Sequence, residues 1–433
     1  MSAPRRWATA VALALVAQRA AAQDRVIVGV HGASASQPGL IVLAGPGLDS
    51  VRTIVQRDLM NSNRFTMAPL SDSAGTLRAP LDPNTLKNLG LTWAVELQPA
   101  INGVEVKLYD VATGVVRQQG TRPVDPSGVG DTRLTIHRVG DQVVTWIGGI
   151  GIAATRIVFK MKNGSDDAIW RVDSDGANLV RVTRASGVMA SPAWSPDGGT
   201  VAYSESRDGR WTLYLQRLAS GTRIAATSSA PGDSYGGNFS PDGRSLVFSH
   251  GLGTGAAIET VDITRNCCAH ELTHDRRNAD NVSPSYSPDG RHIAYISNRT
   301  GTPEIWVMDD DGASADQLVA SEFGATGRAL ATYSPAWSPD GTRIVFGRDT
   351  DGGERQLFTS SVAGGQVVQR TAQGRNEDPS WAPDSRHVVF KSRRTGREQL
   401  WLLDIESGAF RQLTTTAGGA QYPTWSHPLG TNP

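Results

Sequence analysis

Cysteine is almost missing from this 433-residue chain: the two present, Cys267 and Cys268, are neighbours, so no disulfide framework can staple the fold. Stability has to come from packing. Net charge is missing as well, because 42 Lys and Arg balance 42 Asp and Glu, leaving no global field to gather nucleic acid or an anionic membrane surface. Long apolar runs are missing too. After Ala17 nothing approaches the roughly 20 residues that span a bilayer, so no direct membrane insertion is expected. The one apolar run, Ala8 to Ala17, follows Arg5 and Arg6 and precedes Ala20-Ala21-Ala22, the layout of an export signal over residues 1–22. No lipid-anchoring cysteine follows it.

What the chain does hold is a repeat. An aromatic followed by Ser-Pro-Asp-Gly stands at Trp194 to Gly198, Phe239 to Gly243, Tyr286 to Gly290 and Trp337 to Gly341; worn copies follow at Trp381 to Ser385 and Trp425 to Pro428. Successive aromatics lie 45, 47, 51, 44 and 44 residues apart, the period of a four-stranded propeller blade. With 47 glycines for tight turns, the composition suits many short strands. Ser, Pro and Gly at these positions favour a type I turn, which makes the motif a hairpin connector. Asp197, Asp242, Asp289, Asp340 and Asp384 then serve as turn residues rather than as a ring of metal ligands.

Each turn is followed by a short β-rich run, such as Val201 to Tyr203, Leu246 to Phe248 or Val388 to Phe390, and then by a third strand centred on Tyr214, Trp306, Phe358 or Trp401. Residues 155–184 supply the second, third and fourth strands of a blade that lacks a first, while Tyr422 to Ser426 is a first strand with nothing after it. Joining the two predicts a six-bladed all-β propeller over residues 151–433, closed by its C-terminal strand.

Residues 23–150 lack the repeat and read as an α/β domain. Strands are expected at Val26 to Val30, Leu40 to Ala44, Thr92 to Leu97 and Val104 to Tyr109. A helix is expected over Asp49 to Asn61, capped by Asp49, with Val51, Ile54, Val55 and Leu59 on one face. Further helices are expected at Thr85 to Leu89 and Asp131 to Ile147.

Catalytic patterns are thin. Gly232-Asp233-Ser234-Tyr235-Gly236 matches a nucleophile elbow, but it leads into a strand where an elbow must enter a helix. Asp173 to Gly176 and Asp309 to Gly312 hint at calcium loops without the required Glu at the twelfth position, and read as turns. Cys267-Cys268-Ala269-His270, with His274 near, invites zinc, but adjacent cysteines fit a tetrahedral ion poorly; a vicinal disulfide or a plain turn are the other readings. A non-enzymatic protein without metal or cofactor is expected.

The chain resembles the TolB family in its export signal, in Ala44 to Gly47 after a strand, in Arg57 to Phe65, in the junction Thr155-Arg156-Ile157 and in the tandem Ser-Pro-Asp-Gly blades. The resemblance implies a monomeric periplasmic scaffold of the Tol-Pal system, supporting outer-membrane integrity and constriction at division. It implies binding of the peptidoglycan-associated lipoprotein Pal at the channel mouth, through Asp233, Tyr235, Asn281, Tyr333, Glu377 and Tyr422 on the loops entering each first strand. It also implies binding of a TolA-like inner-membrane protein through the N-terminal strand residues Val26, Ile27, Val28 and Val30. The alternative is an exported propeller that senses glycan or peptide ligands.

Overall fold

The computed structural model describes residues 37–68, 90–124 and 131–429, apart from 165, 185–186, 228–230, 252, 254, 266 and 276–278. The export signal, the strand at Val26 to Val30 and the helix at Thr85 to Leu89 lie outside the described residues.

Among the described residues, the front of the chain folds as one sheet with two helices. Strands β1 (Gly39–Ala44), β2 (Thr66–Met67), β3 (Trp93–Ala100), β4 (Gly103–Asp110) and β5 (Val115–Arg122) pair in the order β2-β1-β3-β4-β5. β1 is apolar on both faces because it runs parallel to β2 and β3 in the middle of the sheet. β4 alternates buried and half-buried, as an antiparallel strand with one covered face should. Helices α1 (Asp49–Asn61) and α2 (Thr132–Trp146) lay Val51, Val55, Leu59, Val139 and Val143 on that sheet. Asp131 caps α2, its carboxylate accepting from Leu134 N at 3.3 Å. Asp49 does not cap α1: the cap position is Leu48, without a side-chain bond, and Asp49 sits inside the first turn, where its charge favours the helix dipole. β2 and β5 were not expected. β5 is mostly exposed and carries Arg-Gln-Gln where a strand pattern would need apolar alternation.

Six four-stranded blades follow. Blade 1 runs over 188–225, blade 2 over 233–271, blade 3 over 281–319, blade 4 over 332–369 and blade 5 over 376–412. Blade 6 is composite: the final strand, Gln421–Trp425, pairs antiparallel with β6 (Arg156–Asn163), which continues to β7 (Asp166–Asp173) and β8 (Val180–Arg181). Thr424 faces Val158 and Trp425 faces Ile157, so the wheel is closed as expected. Every second strand is sandwiched between neighbouring blades. Its aromatics Phe159, Tyr203, Phe248, Tyr295, Phe346 and Phe390 are at most 1% exposed.

The Ser-Pro-Asp-Gly turns behave as their chemistry dictates. In blade 3, Asp289 Oδ1 accepts from Ser287 Oγ at 2.6 Å and from Arg291 N at 3.1 Å, while Ser287 Oγ accepts from His292 N at 2.9 Å. Blades 1, 2 and 4 repeat this arrangement. The closing Gly has φ of +70 to +74° in blades 2 to 4, and a Cβ on Gly341 would meet Pro288 of the preceding blade at 3.4 Å.

Candidate functional site: the bulge-ringed channel mouth

All six first strands carry the same irregularity. Ser191-Pro192, Gly236-Gly237, Ser283-Pro284, Ser334-Pro335, Asp378-Pro379 and Tyr422-Pro423 each place two residues opposite one on the second strand, a β-bulge three residues before the repeat aromatic. The first residue of every pair is left-handed, with φ from +47° at Ser191 to +70° at Gly236. In five blades a proline follows, which has no N–H to leave unsatisfied there. The six bulges turn inward together and line a mouth cavity of about 170 Å³. Behind it, across a shared belt of Asn238, Ser285, Ala336, Ser380 and Thr424, opens a second cavity of about 420 Å³ walled by the repeat aromatics and turn prolines. The front sheet docks on the turn side of blades 5 and 6: Arg386 Nη2 donates to Asn63 O at 3.0 Å and Arg138 Nη2 to Leu429 O at 3.0 Å. The bulge side therefore faces away from it.

The mouth is not electrostatically uniform. Blades 1 to 4 present Ser191, Gly236, Ser283 and Ser334, whereas blades 5 and 6 present Asp378 and Tyr422, backed by an ion-pair network. Glu377 Oε1 receives Arg355 Nη1 at 2.7 Å and Arg375 Nη2 at 2.9 Å, and its Oε2 lies 2.8 Å from Lys391 Nζ. Burial pushes the Glu377 carboxyl up, but the bonds from Arg375 and Lys391 outweigh it and hold the group at about 2. Lys391 also reaches Asp378 Oδ2 at 3.4 Å and stands 5.7 Å from the Tyr422 ring centroid. Tyr333 lies under Arg355, 3.4 Å from ring centroid to guanidinium carbon, and its hydroxyl donates to Asp349 Oδ2 at 3.2 Å.

Of the six residues expected at the mouth, Tyr422 lines the cavity itself. Asp233, Tyr235, Tyr333 and Glu377 stand one to three residues ahead of their bulges. Asp233 Oδ1 accepts from Trp211 N at 2.9 Å, and Tyr235 is half-buried. Asn281 is fully buried, its amide donating to Ala256 O at 3.2 Å and Asp275 Oδ1 at 2.7 Å. Asp378 belongs to the entering loop 376–378 that the sequence places at the mouth, and it lines the cavity; Lys391, which backs it, was not expected there, while the Ser-Pro, Asp-Pro and Tyr-Pro dipeptides recur at a fixed offset of three before the aromatics. Val26, Ile27, Val28 and Val30 lie outside the described residues.

The elbow match at Gly232 to Gly236 falls on the first strand of blade 2. Ser234 Oγ and His250 Nδ1 stand 3.1 Å apart there, but both are buried at 2–3% exposure, closed to any substrate. Cys267 and Cys268 are joined as a vicinal disulfide on the outer strand of blade 2, which removes the thiolates that zinc would need.

Residues 145–429 match the family model described as the TolB beta propeller domain. The chain belongs to the TolB propeller family. Over 326 residues the chain is 25% identical to the Tol-Pal system protein TolB of Bordetella parapertussis, covering 72% of each protein. Over 191 residues it is 28% identical to the Tol-Pal system protein TolB of Bordetella pertussis, covering 43% of this chain and 42% of that protein. The solved structure of TolB from Acinetobacter baumannii superposes with a TM-score of 0.79 over 90% of this chain and 97% of that one, at 24% identity, and so shares the fold. Among the described residues of this TolB-family chain, no helix is long and apolar enough to cross a membrane.

Proposed function

We propose that this TolB-family chain is an exported, periplasmic, non-enzymatic scaffold of a Tol-Pal envelope assembly, with a signal over 1–22, an α/β domain over 23–150 and the propeller over 151–433. Its bulge-ringed mouth takes a peptidoglycan-associated lipoprotein, and the segment holding Val26, Ile27, Val28 and Val30 adds as a strand to a TolA-like inner-membrane protein. The observation that carries this reading is the ring of six left-handed bulges: a rigid, concave, loop-lined surface on the face that the front sheet leaves open. The names of the Bordetella relatives support the assembly. Tyr422, Tyr333, Tyr235 and Asp233 make the contact, Glu377 holds the basic sector in place, and Asn281 fixes its loop.

Binding of the full exported chain to an envelope lipoprotein bearing a peptidoglycan-associated domain tests this by calorimetry. Tyr333→Ala and Asp233→Ala should weaken it at least about tenfold, the effect of losing one central anchor. Wild-type affinity in both variants, or no binding by the parent, refutes the reading. The larger cavity, walled by Trp194, Trp337, Trp381 and Trp425, favours a second reading, a sensor of small glycan or peptide ligands. Ligand-induced quenching of those tryptophans, with no lipoprotein binding, would establish it instead.

A further inference from the structure

The contact between the front sheet and the propeller is built around one histidine that the channel does not use. His137 on α2 is fully buried. Three residues on, Gly140 lets α1 come close, since a Cβ there would stand 2.9 Å from Asp58 Cβ. That crossing sets Asp58 Oδ2 at 2.8 Å from His137 Nδ1. The other ring nitrogen points at the propeller, 4.0 Å from Oδ2 of Asp173 at the end of β7. Asp58 Oδ1, His137 Nε2 and Asp173 Oδ2 are all buried without a hydrogen bond. A neutral imidazole bonded to Asp58 carries its proton on Nδ1, which leaves Nε2 as an acceptor facing a carboxylate oxygen. Two buried acceptors facing each other are unfavourable. One proton on Nε2 converts the opposition into a charge attraction across that 4.0 Å gap.

We propose that His137 is a proton-operated latch between the front sheet and the propeller: its imidazolium form ties Asp58 on α1 to Asp173 on β7, and loss of the proton releases the tie.

The charges around the ring fit a proton better than a metal ion. Asp58, His137 and Asp175 lie close enough to consider a divalent cation. Arg133 and Arg57, however, already sit on Asp175, the latter at 3.5 Å. Arg156 Nε lies 3.2 Å from Asp173 Oδ1 and Arg133 Nε 3.3 Å from its Oδ2, while Arg156 also pairs with Asp131. Asp141 on α2, Arg171 on β7 and Arg411 on the last strand of blade 5 complete the charged surroundings. Of the two carboxylates a metal would require, Asp175 is held by guanidinium groups and Asp58 by the imidazole itself. Burial works against the imidazolium, but the hydrogen bond and field of Asp58, with the field of Asp175, outweigh it and raise the His137 pKa above the ordinary value. A raised native pKa means that the latch is fully engaged below the ordinary histidine range and is lost as pH rises through the raised value.

The test uses the full chain with isotope-labelled histidine rings, followed by NMR from pH 5 to 9, with His137→Gln assigning the signal. His137 should titrate above the ordinary value of about 6.5, and Asp173→Asn should lower its midpoint by about one unit or more. The unfolding temperature of the wild type should drop across the same pH range, and that drop should be absent in His137→Gln. Should Asp173→Asn fail to fold, the wild type alone decides: its radius of gyration by X-ray scattering should increase through the His137 midpoint. A midpoint below 6.5, a midpoint insensitive to Asp173→Asn, or a scattering profile constant through the transition overturns the latch. Loss of the pH dependence on adding a chelator would overturn it in favour of a metal.

Discussion

Replacing Trp425 by alanine strikes the seam of blade 6, where the chain's last strand meets β6. The side chain is 5% exposed and packs with Ile157, Phe159, Val389 and Leu402. Its indole N–H donates to Thr155 Oγ1 at 2.7 Å, and its backbone N–H to Ser380 Oγ at 3.1 Å. A buried Trp→Ala change costs about 3–5 kcal/mol in transfer and cavity terms. The lost indole bond adds about 1 kcal/mol. The sum, roughly 5 kcal/mol, corresponds to a fall in unfolding temperature of about 10 °C or more for a domain of this size. Trp425→Phe refills most of the volume and loses chiefly the indole bond, so it should cost only about 1–2 kcal/mol. Truncation after Gly419 goes further. It strips β6 of one of its two partners, exposes an unpaired edge and should yield aggregating protein without a cooperative transition. Calorimetry of the three variants checks this ranking. An alanine variant within about 2 °C of wild type, or a truncated chain that unfolds cooperatively at the parent's temperature, would refute closure by this strand.

Asp289→Ala removes the acceptor for Ser287 Oγ and Arg291 N and should cost about 1–2 kcal/mol in urea unfolding, equally with and without calcium; a calcium-dependent loss would reinstate the metal reading of the turn aspartates. Gly140→Val drives methyl groups into Asp58 and should cost about 1–3 kcal/mol by the same measurement, whereas an unchanged midpoint would show that α1 and α2 do not cross there. Glu377 and Asp404 are both held at about 2, against 4.5 and 3.8 unperturbed: burial raises each, and the bonds from Arg375 and Lys391 to Glu377, and from Arg386 and Ser407 to Asp404, outweigh it. Their stabilisation is therefore present above the ordinary carboxylate range and lost as pH falls toward 2, so Glu377→Gln with Asp404→Asn should flatten the decline in stability between pH 5 and 2.5. A decline as steep as the parent's would count against this assignment.

The sequence by itself determined whatever is written in neighbouring residues. Ser-Pro-Asp-Gly makes its turn from bonds spanning two to five positions, so the turn, the blade period and the wheel were legible before any coordinates. The orphan strand at Tyr422 to Ser426 was legible because a blade with one strand and a blade lacking one can satisfy their edges only in each other. Five of the six bulges are written just as locally, in dipeptides of Ser, Asp or Tyr followed by proline, but such a dipeptide becomes a bulge only through its pairing with the second strand. β5 could not be read, since an exposed edge strand is held by ladder bonds to β4 rather than by an apolar pattern. Only the tertiary structure decided which mouth stays open and what holds the front sheet to the wheel. Asp58, His137 and Asp173 are far apart in the chain, and each alone is an unremarkable polar residue on a helix or a strand end. Their burial against one another, and the proton that the site favours, arise from packing two separately folded surfaces, and no local pattern encodes that contact.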